Sequence, residues 1–410
     1  MRGTSGADRP RICMAMLAAN GGSALVAQEL GLALSRAGFS VRYCQPGNGT
    51  GTDAGTGTGT GTAAAAAAAA AIKPASPHFV LDAGPGARTS ATLDVPASLG
   101  GSLDAADGLL RIHDAWPFDV FHVHNLQVFG HPAQVLQRLR GVPYVVTCHG
   151  SDVLNPGMLD RHREVAAEVL HQAAAVTCVS RHVSEVLRRK VPTLGLVRTI
   201  GNFVRVSWRE LDFTARPEPE RFLHVSSLRP VKRPELLLAA FSAVRRREPA
   251  ARLVIVTTGN GMRRLESLIA RGVHDGGGVE AIDGDRDPEA LAREYARACA
   301  LVMTSEFEGF SLVTLEALQY GVPVVATATG ALPEVLGAGW PYLVPDRAGP
   351  RLAEELAATM LRAADAPDPA LPMLTRRVLA RYRGPEQVDA YARLYRRVLA
   401  ERDQVACRAS

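Results

Sequence analysis

Lysine is the scarcest charged residue in this chain. Of the 46 lysines and arginines in 410 residues, only Lys73, Lys190 and Lys232 are lysines, and the formal net charge is +5. The arginines are spread along predicted helices, and the aromatic residues, 5% of the chain, form no stripe between them. Because nucleic-acid-binding surfaces concentrate basic and aromatic side chains on one face, we expect no nucleic-acid partner.

Long apolar runs and paired cysteines are also missing. No apolar run reaches the ~20 residues that span a bilayer, and the nine alanines of residues 63–71 are too few. The first ten residues lack the hydrophobic core of a signal peptide, so we expect no integral membrane segment and a cytoplasmic location. The six cysteines occur singly, without the C-x-x-C spacing of a zinc site. We therefore expect buried free thiols.

Short apolar runs alternate with helix-like segments through both halves of the chain. This alternation is typical of βαβ units and predicts an α/β fold with parallel, doubly wound sheets. The predicted strands of the first half are 11–17, 41–44, 78–81, 119–124, 144–148, 175–179 and 196–200. Those of the second half are 221–226, 252–258, 279–282, 300–304, 322–328 and 342–344.

A break in this pattern divides the chain into two predicted domains. Residues 205–220 contain Arg-Pro-Glu-Pro-Glu, which is typical of a linker, so we place an N-terminal domain at 1–205 and a C-terminal domain at 206–410. Residues 47–71, rich in Gly, Thr and Ala, indicate a low-complexity insertion to which we assign no function. The last predicted helix, 385–402, carries an apolar stripe at helical spacing.

Two carboxylates lie at a predicted loop-to-helix junction in the second half. Glu308 precedes a glycine in the loop, Ser311 is a candidate N-cap, and Glu316 falls one to two turns into the helix. The free backbone N–H groups of a helix start suit a diphosphate, and two carboxylates suit the hydroxyls of a sugar and a ribose. A nucleotide sugar satisfies all these groups together. The alternative is an ordinary pair of surface glutamates.

A pair of cations follows the first predicted strand of the second half. Arg229 and Lys232 stand in Leu-Arg-Pro-Val-Lys-Arg at a strand end, where doubly wound folds bind their ligands. Two cations there can neutralise a departing diphosphate, whose concentrated negative charge must be stabilised in the transition state. The alternative is surface charge that flanks a helix.

Glycines and histidines follow or end predicted strands of the first half. Gly21 and Gly22 come after the first strand, where glycine lets the backbone approach a ligand closely. They do not form G-x-G-x-x-G, which counts against NAD. His149 opens a His-Gly-Ser-Asp loop after another strand. His122 and His124 form His-x-His on one strand face, but spacing pairs no third metal ligand with them, so we favour a packing or cleft-lining role.

Together these motifs resemble the retaining glycosyltransferases of family 4, which have the GT-B fold of two Rossmann-like domains facing a central cleft. The segment from Glu308 to Glu316 is similar to their E-x7-E motif, although the family usually has Gly where this chain has Ser311. The sequence His-Val-Ser-x-x-Arg-Pro-Val-Lys-Arg is similar to a motif of the N-acetylglucosaminyl L-malate synthases of bacillithiol biosynthesis, which use UDP-GlcNAc. The likeness covers most of the chain.

The resemblance implies a set of site residues. Those implied for the donor are Gly21, Gly22, Arg229, Lys232, Glu308, Phe310, Ser311, Leu312 and Glu316. Those implied for the acceptor are Ser23, Asn125 and Asn202. Those implied for catalysis are His149, Arg229, Lys232 and Glu308.

Specific roles and absences follow from the same resemblance. Glu308 is expected to bind donor-sugar hydroxyls and Glu316 the ribose hydroxyls, while His149 lies beside the reacting sugar and orients it. No cofactor or bound metal is expected, because arginine and lysine supply the positive charge in this family. Asp283-Gly-Asp285 is therefore not interpreted as a D-x-D metal site. The last helix is expected to return to the first domain.

The expected activity is transfer of N-acetylglucosamine from UDP-GlcNAc to a small hydroxylated acceptor, with retention at the anomeric carbon. The acceptor is open between L-malate and an aminocyclitol or aminoglycoside-type intermediate of antibiotic biosynthesis. Asn125 favours the latter, because malate-using relatives often have an aromatic residue there. A UDP-GlcNAc 2-epimerase and a non-catalytic nucleotide-sugar binder are alternatives with the same fold. The oligomeric state is open between a monomer and a homodimer.

Overall fold

Two compact units make up the described part of the chain. The computed structural model describes residues 9–16, 22–46, 79–82, 99–154, 163–203, 217–284, 288–347, 349 and 351–409. Unit 1 comprises Met1–Val179, Val183–Gly201 and Pro385–Ser410, and unit 2 comprises Ser180–His182 and Asn202–Gly384. Within the described ranges, no helix combines the length and the apolarity needed to cross a membrane.

A seven-stranded sheet forms the centre of unit 1. Its strands are β1 Arg11–Ala15, β2 Ser40–Pro46, β3 Phe79–Asp82, β4 Val120–Val123, β5 Tyr144–Cys148, β6 Ala175–Cys178 and β7 Val197–Thr199. Their order across the sheet is β3-β2-β1-β4-β5-β6-β7. All neighbours pair in parallel except β2 and β3. The parallel sheet that the sequence predicts therefore carries one antiparallel edge strand, a common addition to doubly wound sheets.

Helices connect these strands and cover the sheet. They are α1 Gly22–Arg36, α2 Leu99–Ala115, α3 Leu126–Arg140, α4 Ser151–Leu154, α5 Arg163–Gln172 and α6 Arg181–Lys190. Strands β4 and β5 are buried at every position. Such continuous burial is expected of parallel strands that helices cover on both faces, and it explains why these strands are uninterrupted apolar runs.

Unit 2 contains a six-stranded, fully parallel sheet. Its strands are β8 Arg221–Val225, β9 Arg252–Thr257, β10 Val279–Asp283, β11 Ala300–Met303, β12 Val324–Thr327 and β13 Leu343–Val344, in the order β10-β9-β8-β11-β12-β13. Its helices are α7 Pro234–Arg247, α8 Gly259–Ala270, α9 Pro288–Arg297, α10 Leu312–Gln319, α11 Leu332–Leu336, α12 Arg351–Asp365 and α13 Leu371–Arg381. Two Rossmann-like sheets are thus present, as the sequence predicts for a GT-B fold.

The last helix, α14 Gly384–Ala409, is longer than the predicted 385–402. From Pro385 onward it belongs to unit 1. Its apolar stripe is buried there, including Tyr391 and Tyr395, which are 2% and 0% exposed. Residues of the C-terminal end of the chain thereby complete the core of the N-terminal unit.

Five of the six cysteines are buried free thiols, as predicted, whereas Cys407 is exposed. Burial raises the pKa of Cys299 to about 12, so this thiol stays protonated at neutral pH. The insertion at 47–71, the predicted boundary between 205 and 206, and the residues Gly21 and Asp285 lie outside the described residues.

Candidate active site

The predicted site residues of unit 2 cluster where the strand order of its sheet reverses. Connections out of β8 lead to one side of the sheet and connections out of β11 to the other. Ligands of open α/β sheets bind outside the carboxyl ends of the strands at such a reversal. Lys232 follows β8 and Glu308 follows β11, so the two residues flank this point although 76 residues separate them.

Lys232 and Glu308 form a direct ion pair. Lys232 Nζ donates a hydrogen bond to Glu308 Oε1 at 2.6 Å, and Ser305 Oγ donates to the same oxygen at 2.7 Å. The two charged side chains are 20% and 9% exposed. Water screens such a pair less than a surface pair, so the two groups hold each other in place before a ligand arrives. An ammonium group has three donors, and the described residues use one of them here.

Arg229 shares a tight turn with Lys232. It is exposed and precedes the single 3-10 turn Pro230–Lys232, in which Lys232 N donates to Arg229 O at 2.8 Å. Within the described part of the chain, the Arg229 guanidinium has no ion-pair partner. The turn therefore presents one partly buried cation and one exposed cation, an arrangement that suits a ligand with more than one anionic group.

Arg233, to which the sequence assigned no role, ties this turn to the end of β11. Its Nε and Nη2 donate to the carbonyls of Thr304 and Ser305 at 2.7 and 2.8 Å, and its Nη1 donates to Asp346 Oδ1 at 2.8 Å. Thr304 Oγ1 donates back to Lys232 O at 2.7 Å. Arg233 has a φ of +47°, a strained backbone that only surrounding contacts can maintain. These contacts fix Lys232 beside Ser305.

His224 holds the start of the same loop. Its Nδ1 donates to Val302 O at 2.8 Å, so its Nε2 accepts from Ser226 Oγ at 2.8 Å. Ser226 Oγ in turn accepts from Leu228 N at 3.0 Å, where the backbone has a φ of +50°. Burial, with a smaller contribution from Lys232, lowers the pKa of His224 to about 4. The ring is therefore neutral at pH 7, as this bonding pattern requires.

Gly330 supports the backbone of Glu308. It follows β12 and has a φ of +56°. A Cβ at this position would lie far inside van der Waals contact of the Glu308 carbonyl oxygen and amide nitrogen. Ala331 N donates to that carbonyl at 2.9 Å. Only glycine allows this approach, and the sequence offered just one signal for it, a glycine three residues after the end of a strand.

The start of α10 is built differently from the prediction. Ser311 has a φ of +78°, and its side chain makes no cap hydrogen bond. Its Oγ instead accepts from Thr314 Oγ1 at 3.0 Å. The prediction that Ser311 caps the helix is wrong, because a capping side chain needs an extended backbone. A positive φ favours glycine, which gives a physical reason for the glycine that the resembled family usually has at this position.

The residues around Ser311 differ in what they can offer a ligand. Phe310 is buried with its ring edge-on to that of Tyr382, the centroids 4.9 Å apart, so its side chain has a core role. Leu312 is half-buried and is the first residue of α10. The backbone N–H groups of the first helical turn are not used by the helix itself. The predicted contribution of these residues therefore rests on their amides.

Glu316 is fixed by a hydrogen bond from Tyr295. Its side chain lies on α10, the residue is 5% exposed, and Oε2 accepts from Tyr295 Oη at 3.0 Å. The Tyr295 ring stacks on that of Tyr320, with centroids 5.8 Å apart. The carboxylate is thereby oriented in advance, while its role toward a ribose stays a prediction.

The donor residue Gly22 and the acceptor residues Ser23 and Asn125, as predicted for unit 1, lie at the starts of α1 and α3. Gly22 is the exposed first residue of α1, and Ser23 beside it is half-buried. Asn125 is the N-cap of α3, where its Oδ1 accepts from Val128 N at 3.1 Å. This structural role was not predicted, and it leaves the amide nitrogen of Asn125 for any ligand. Asn202, the third predicted acceptor residue, is buried in unit 2.

A chain of hydrogen bonds runs from His149 into the core of unit 1. His149 Nε2 lies 2.9 Å from His124 Nδ1, and His124 Nε2 lies 3.2 Å from His122 Nδ1. His122 Nδ1 also lies 2.6 Å from Tyr395 Oη on α14, and His122 Nε2 lies 2.7 Å from Thr147 Oγ1. The sequence predicted a packing or cleft-lining role for His122 and His124, and the structure joins both to the candidate His149.

Burial keeps these three rings neutral. It lowers the pKa of His122 to about 3, that of His149 to about 4 and that of His124 well below its usual value. The neighbouring histidine rings lower the pKa of His122 and His124 further, by a smaller amount, because a second positive charge nearby is unfavourable. Burial also raises the pKa of Asp152 to about 6, although Gly150 N donates to its Oδ1 at 2.9 Å.

No metal centre is evident in the part of the chain that the structure describes. Within it, no group of three or more His, Cys, Asp or Glu side chains is arranged to hold a metal ion. The three linked histidines contact one another through their ring nitrogens, which leaves no common point to which they could all donate.

Two family models match the chain, one on each half. The model described as Glycosyltransferase Family 4 matches residues 20–208, and the model described as Glycosyl transferases group 1 matches residues 219–365. Together they cover the candidate residues of both units.

Similar proteins agree with these matches. A D-inositol 3-phosphate glycosyltransferase of Frankia alni is 28% identical over 248 residues, which are 54% of this chain and 60% of that protein. An N-acetyl-alpha-D-glucosaminyl L-malate synthase of Bacillus anthracis is 28% identical over 232 residues, 54% of this chain and 59% of that protein. The chain thus spans about 60% of the length of these curated relatives.

A solved structure shares the fold over nearly the full chain. A sucrose-phosphate synthase from Thermosynechococcus elongatus superposes with a TM-score of 0.74 at 21% sequence identity. The superposition covers 96% of this chain and 100% of that one. The predicted architecture of two Rossmann-like sheets is confirmed by this match and by the strand orders described above.

Proposed function

Because the chain belongs to the family 4, group 1 glycosyltransferases, with the GT-B fold, we propose that it transfers N-acetylglucosamine from UDP-GlcNAc to a small acceptor. The acceptor in this proposal is a cyclitol or aminocyclitol that offers a hydroxyl, and the anomeric configuration is retained. The reaction takes place in the cytoplasm and needs no resident metal, because Arg229 and Lys232 supply the positive charge.

The ion pair between Lys232 and Glu308 is the observation that carries the proposal. It places a cation and a hydrogen-bond acceptor side by side at the strand reversal of unit 2, at 2.6 Å from each other. A nucleotide sugar has a diphosphate and sugar hydroxyls joined at one bond, so it can use both groups at once. A simple phosphate would bind only the cation. It has no hydroxyl hydrogens like those of a sugar to donate to the buried carboxylate.

The proposed chemistry is an exchange of two bonds at the anomeric carbon. The bond from that carbon to the diphosphate oxygen breaks, and the electron pair leaves with UDP. The acceptor oxygen bonds the carbon on the same face, and its proton passes to the departing phosphate. Arg229, Lys232 and the amides at the start of α10 stabilise the negative charge of the departing UDP, and Glu308 holds the sugar hydroxyls throughout.

The relatives support the choice between the two acceptor classes only in part. The Frankia alni protein is named for an inositol phosphate, which is a cyclitol, and the Bacillus anthracis protein is named for L-malate. Both are equally similar to this chain. We favour a cyclitol-type acceptor of antibiotic biosynthesis because Asn125 replaces the aromatic residue that malate-using relatives often have, and we retain L-malate as the second candidate.

A product assay tests this proposal. The full chain is incubated with a panel of UDP-sugars, each with L-malate, myo-inositol, inositol 3-phosphate or an aminocyclitol such as 2-deoxystreptamine. UDP release that depends on an acceptor, together with a product heavier by one N-acetylhexosamine in mass spectrometry, supports transfer. The anomeric coupling constant of the product shows whether the configuration is retained. Added EDTA should leave the rate unchanged.

Other outcomes of the assay point to the alternatives. UDP released without any acceptor, with a free epimerised sugar, would indicate a 2-epimerase. Binding of UDP-GlcNAc in calorimetry without turnover on any acceptor in the panel would indicate a nucleotide-sugar binder. Sedimentation of the same preparation distinguishes a monomer from a homodimer.

A further inference from the structure

The hydroxyl of Tyr395 has one hydrogen-bond partner among the described residues, the ring of His122. This contact determines which nitrogen of that ring carries the proton. Tyr395 is 0% exposed, and its oxygen lies 2.6 Å from His122 Nδ1. Burial raises the pKa of Tyr395 well above its usual value, so the hydroxyl keeps its proton. A buried O–H group that makes no hydrogen bond is costly. Among the described residues only His122 Nδ1 can accept from it, so this nitrogen must carry a lone pair.

The tautomer of His122 determines which atoms donate in the neighbouring hydrogen bonds. A neutral imidazole has one N–H and one lone pair. With a lone pair on Nδ1, His122 carries its proton on Nε2 and donates to Thr147 Oγ1 at 2.7 Å. Thr147 Oγ1 can then donate to Thr177 Oγ1, which lies 2.6 Å away. Thr177 Oγ1 can in turn donate to Val146 O at 3.5 Å, so each polar hydrogen named here has an acceptor.

The same reasoning reaches His149 in two further steps. His124 Nε2 lies 3.2 Å from the lone pair of His122 Nδ1, so a proton on His124 Nε2 avoids two facing lone pairs, and the His122 lone pair is then shared between Tyr395 and His124. His124 Nδ1 then has a lone pair, and His149 Nε2, 2.9 Å away, must donate to it. His149 Nδ1 is left with a lone pair. Within the described residues this nitrogen has no hydrogen-bond partner, and His149 is half-buried.

The opposite arrangement of protons is less favourable. If Thr147 donated to His122 Nε2, the single N–H of His122 Nδ1 would face both Tyr395 Oη and His124 Nε2. The Tyr395 proton would then have no acceptor among the described residues. One hydroxyl on the last helix thus selects between two otherwise equivalent directions of the hydrogen-bond chain.

We propose that Tyr395 is a positioning residue that makes His149 present an unprotonated Nδ1 to a hydroxyl group of the bound sugar or acceptor. This inference rests on the proposed function for the identity of the hydroxyl. The direction of the hydrogen bonds follows from the contacts alone. His149 accepts a hydrogen bond from the substrate hydroxyl and does not donate one, which favours ligands that offer a proton at this point.

The ring nitrogens of His149 can be observed directly. The full chain is labelled with ¹⁵N-histidine, and long-range ¹H–¹⁵N spectra are recorded near pH 7.5, with the His149 signals identified by their loss in His149→Asn. The expected pattern is a protonated Nε2 and an unprotonated Nδ1. A wild-type His149 with its proton on Nδ1 would overturn the proposal, whether or not the protein turns over any sugar.

Two matched variants test the role of Tyr395. Tyr395→Phe removes the hydroxyl that orders the chain of hydrogen bonds among the described residues, so an Nδ1–H form of His149 should appear. Tyr391→Phe is the control, because Tyr391 lies one turn earlier on the same helix and bonds Thr147 and Thr177 at 3.2 and 3.4 Å rather than a histidine. It should leave the His149 pattern unchanged. An unchanged pattern in Tyr395→Phe would exclude Tyr395 as the positioning residue.

Kinetics separates this inference from the proposed function. If the two tautomers become equally populated in Tyr395→Phe, kcat/KM should fall about two-fold, with Tyr391→Phe close to wild type. If wild type releases no UDP in the presence of any acceptor, the proposed function fails and the spectra still decide the tautomer. If Tyr395→Phe does not fold, as judged by circular dichroism, the wild-type spectrum alone decides it.

Discussion

At the scale of single residues, the candidate site of unit 2 depends on two charged side chains that stabilise each other. Glu308 is nearly buried, and the positive charge of Lys232 compensates its negative charge. The backbone around the pair is strained at three non-glycine positions, Leu228, Arg233 and Ser311. Strain of this kind persists only where the surroundings enforce it, and it concentrates at functional sites. Changes to single residues should therefore affect activity and stability in separable ways.

Replacement of Lys232 should reduce turnover far more than it reduces stability. Lys232→Met keeps the length of the side chain but removes the charge that stabilises the departing diphosphate, so we expect kcat to fall about 10²–10³-fold. The unpaired Glu308 should also cost about 1–3 kcal/mol of folding free energy. UDP release and urea unfolding measure the two effects.

The double variant Lys232→Met/Glu308→Gln serves as a control for this prediction. It removes the unpaired carboxylate, so it should recover most of the lost stability without recovering activity. Lys190→Met, at the end of α6, controls for the loss of a lysine elsewhere. A Lys232→Met protein with wild-type turnover would remove the cation from the mechanism.

Gly330 should tolerate no side chain. In Gly330→Ala the new Cβ would overlap the backbone of Glu308, so the loop that carries this carboxylate must move. Gly141→Ala is the matched control, because Gly141 also has a positive φ, +68°, in the left-handed helical region, but a Cβ there meets nothing within 4 Å. We expect about 1 kcal/mol of destabilisation from the control and distinctly more from Gly330→Ala, together with weaker UDP-GlcNAc binding in calorimetry. Equal effects would show that the contact with Glu308 is unimportant.

At the scale of secondary-structure elements, the two helix starts near the candidate residues are built in opposite ways. Asn125 has an extended backbone, with a φ of −145°, and its side chain caps α3. Ser311 has a positive φ, and its side chain leaves the first amides of α10 uncapped. An uncapped helix start keeps its N–H groups and its positive dipole end for an anion. The conformation that weakens α10 by itself is therefore the one that a diphosphate would use.

Glycine should be the most stable residue at position 311. Ser311→Gly and Ser311→Ala both lose the contact with Thr314, and they differ in the cost of the positive φ. We expect the glycine variant to be more stable than the alanine variant by about 1 kcal/mol, as measured by urea unfolding. An alanine variant of equal or greater stability would show that the backbone at this position is not strained.

At the scale of the whole molecule, the protein holds several neutral histidines at buried or half-buried positions. His122 and His149 in unit 1 and His224 in unit 2 have pKa values lowered to between about 3 and about 4, and that of His124 is also lowered. In the unfolded chain these groups take up protons near their ordinary pKa of 6.5. The unfolded state therefore binds more protons between pH 6.5 and pH 4, and acid destabilises the fold in that window. Asp152, whose pKa is raised to about 6, takes up its proton in the folded state and so stabilises the fold below that pH. It is one group, whereas several histidines have the opposite effect.

The free energy of unfolding should accordingly be highest above pH 6.5 and should fall steeply toward pH 4. His149→Gln removes one of the groups that take up a proton on unfolding. Its curve should be shallower than that of wild type by up to about 1.4 kcal/mol per pH unit. Urea unfolding at pH 7.5, 6.5, 5.5 and 4.5 measures both slopes. A wild-type stability that stays constant over this range would contradict the neutral state of the buried rings.

Much of the architecture could be read from the order of residues along the chain. The predicted strands recur in the structure with ends shifted by a few residues, because apolar runs between turn residues are a local property. The resemblance to glycosyltransferases of the GT-B fold rests on these runs together with short motifs such as Glu308 to Glu316. The residue types of the site were also visible, since glycine, arginine and lysine at strand ends suit phosphates.

Only the tertiary structure decided which of these residues meet. Lys232 and Glu308 are 76 residues apart, and Tyr395 and His122 are 273 residues apart. Such pairs depend on the order of strands in a sheet and on where the last helix packs, and no local periodicity contains that information. The capping of α3 by Asn125, the failure of Ser311 to cap α10 and the close approach of Gly330 to Glu308 have the same origin. Backbone conformation at these points is set by the neighbours that the fold brings together, and the residue itself only permits or resists it.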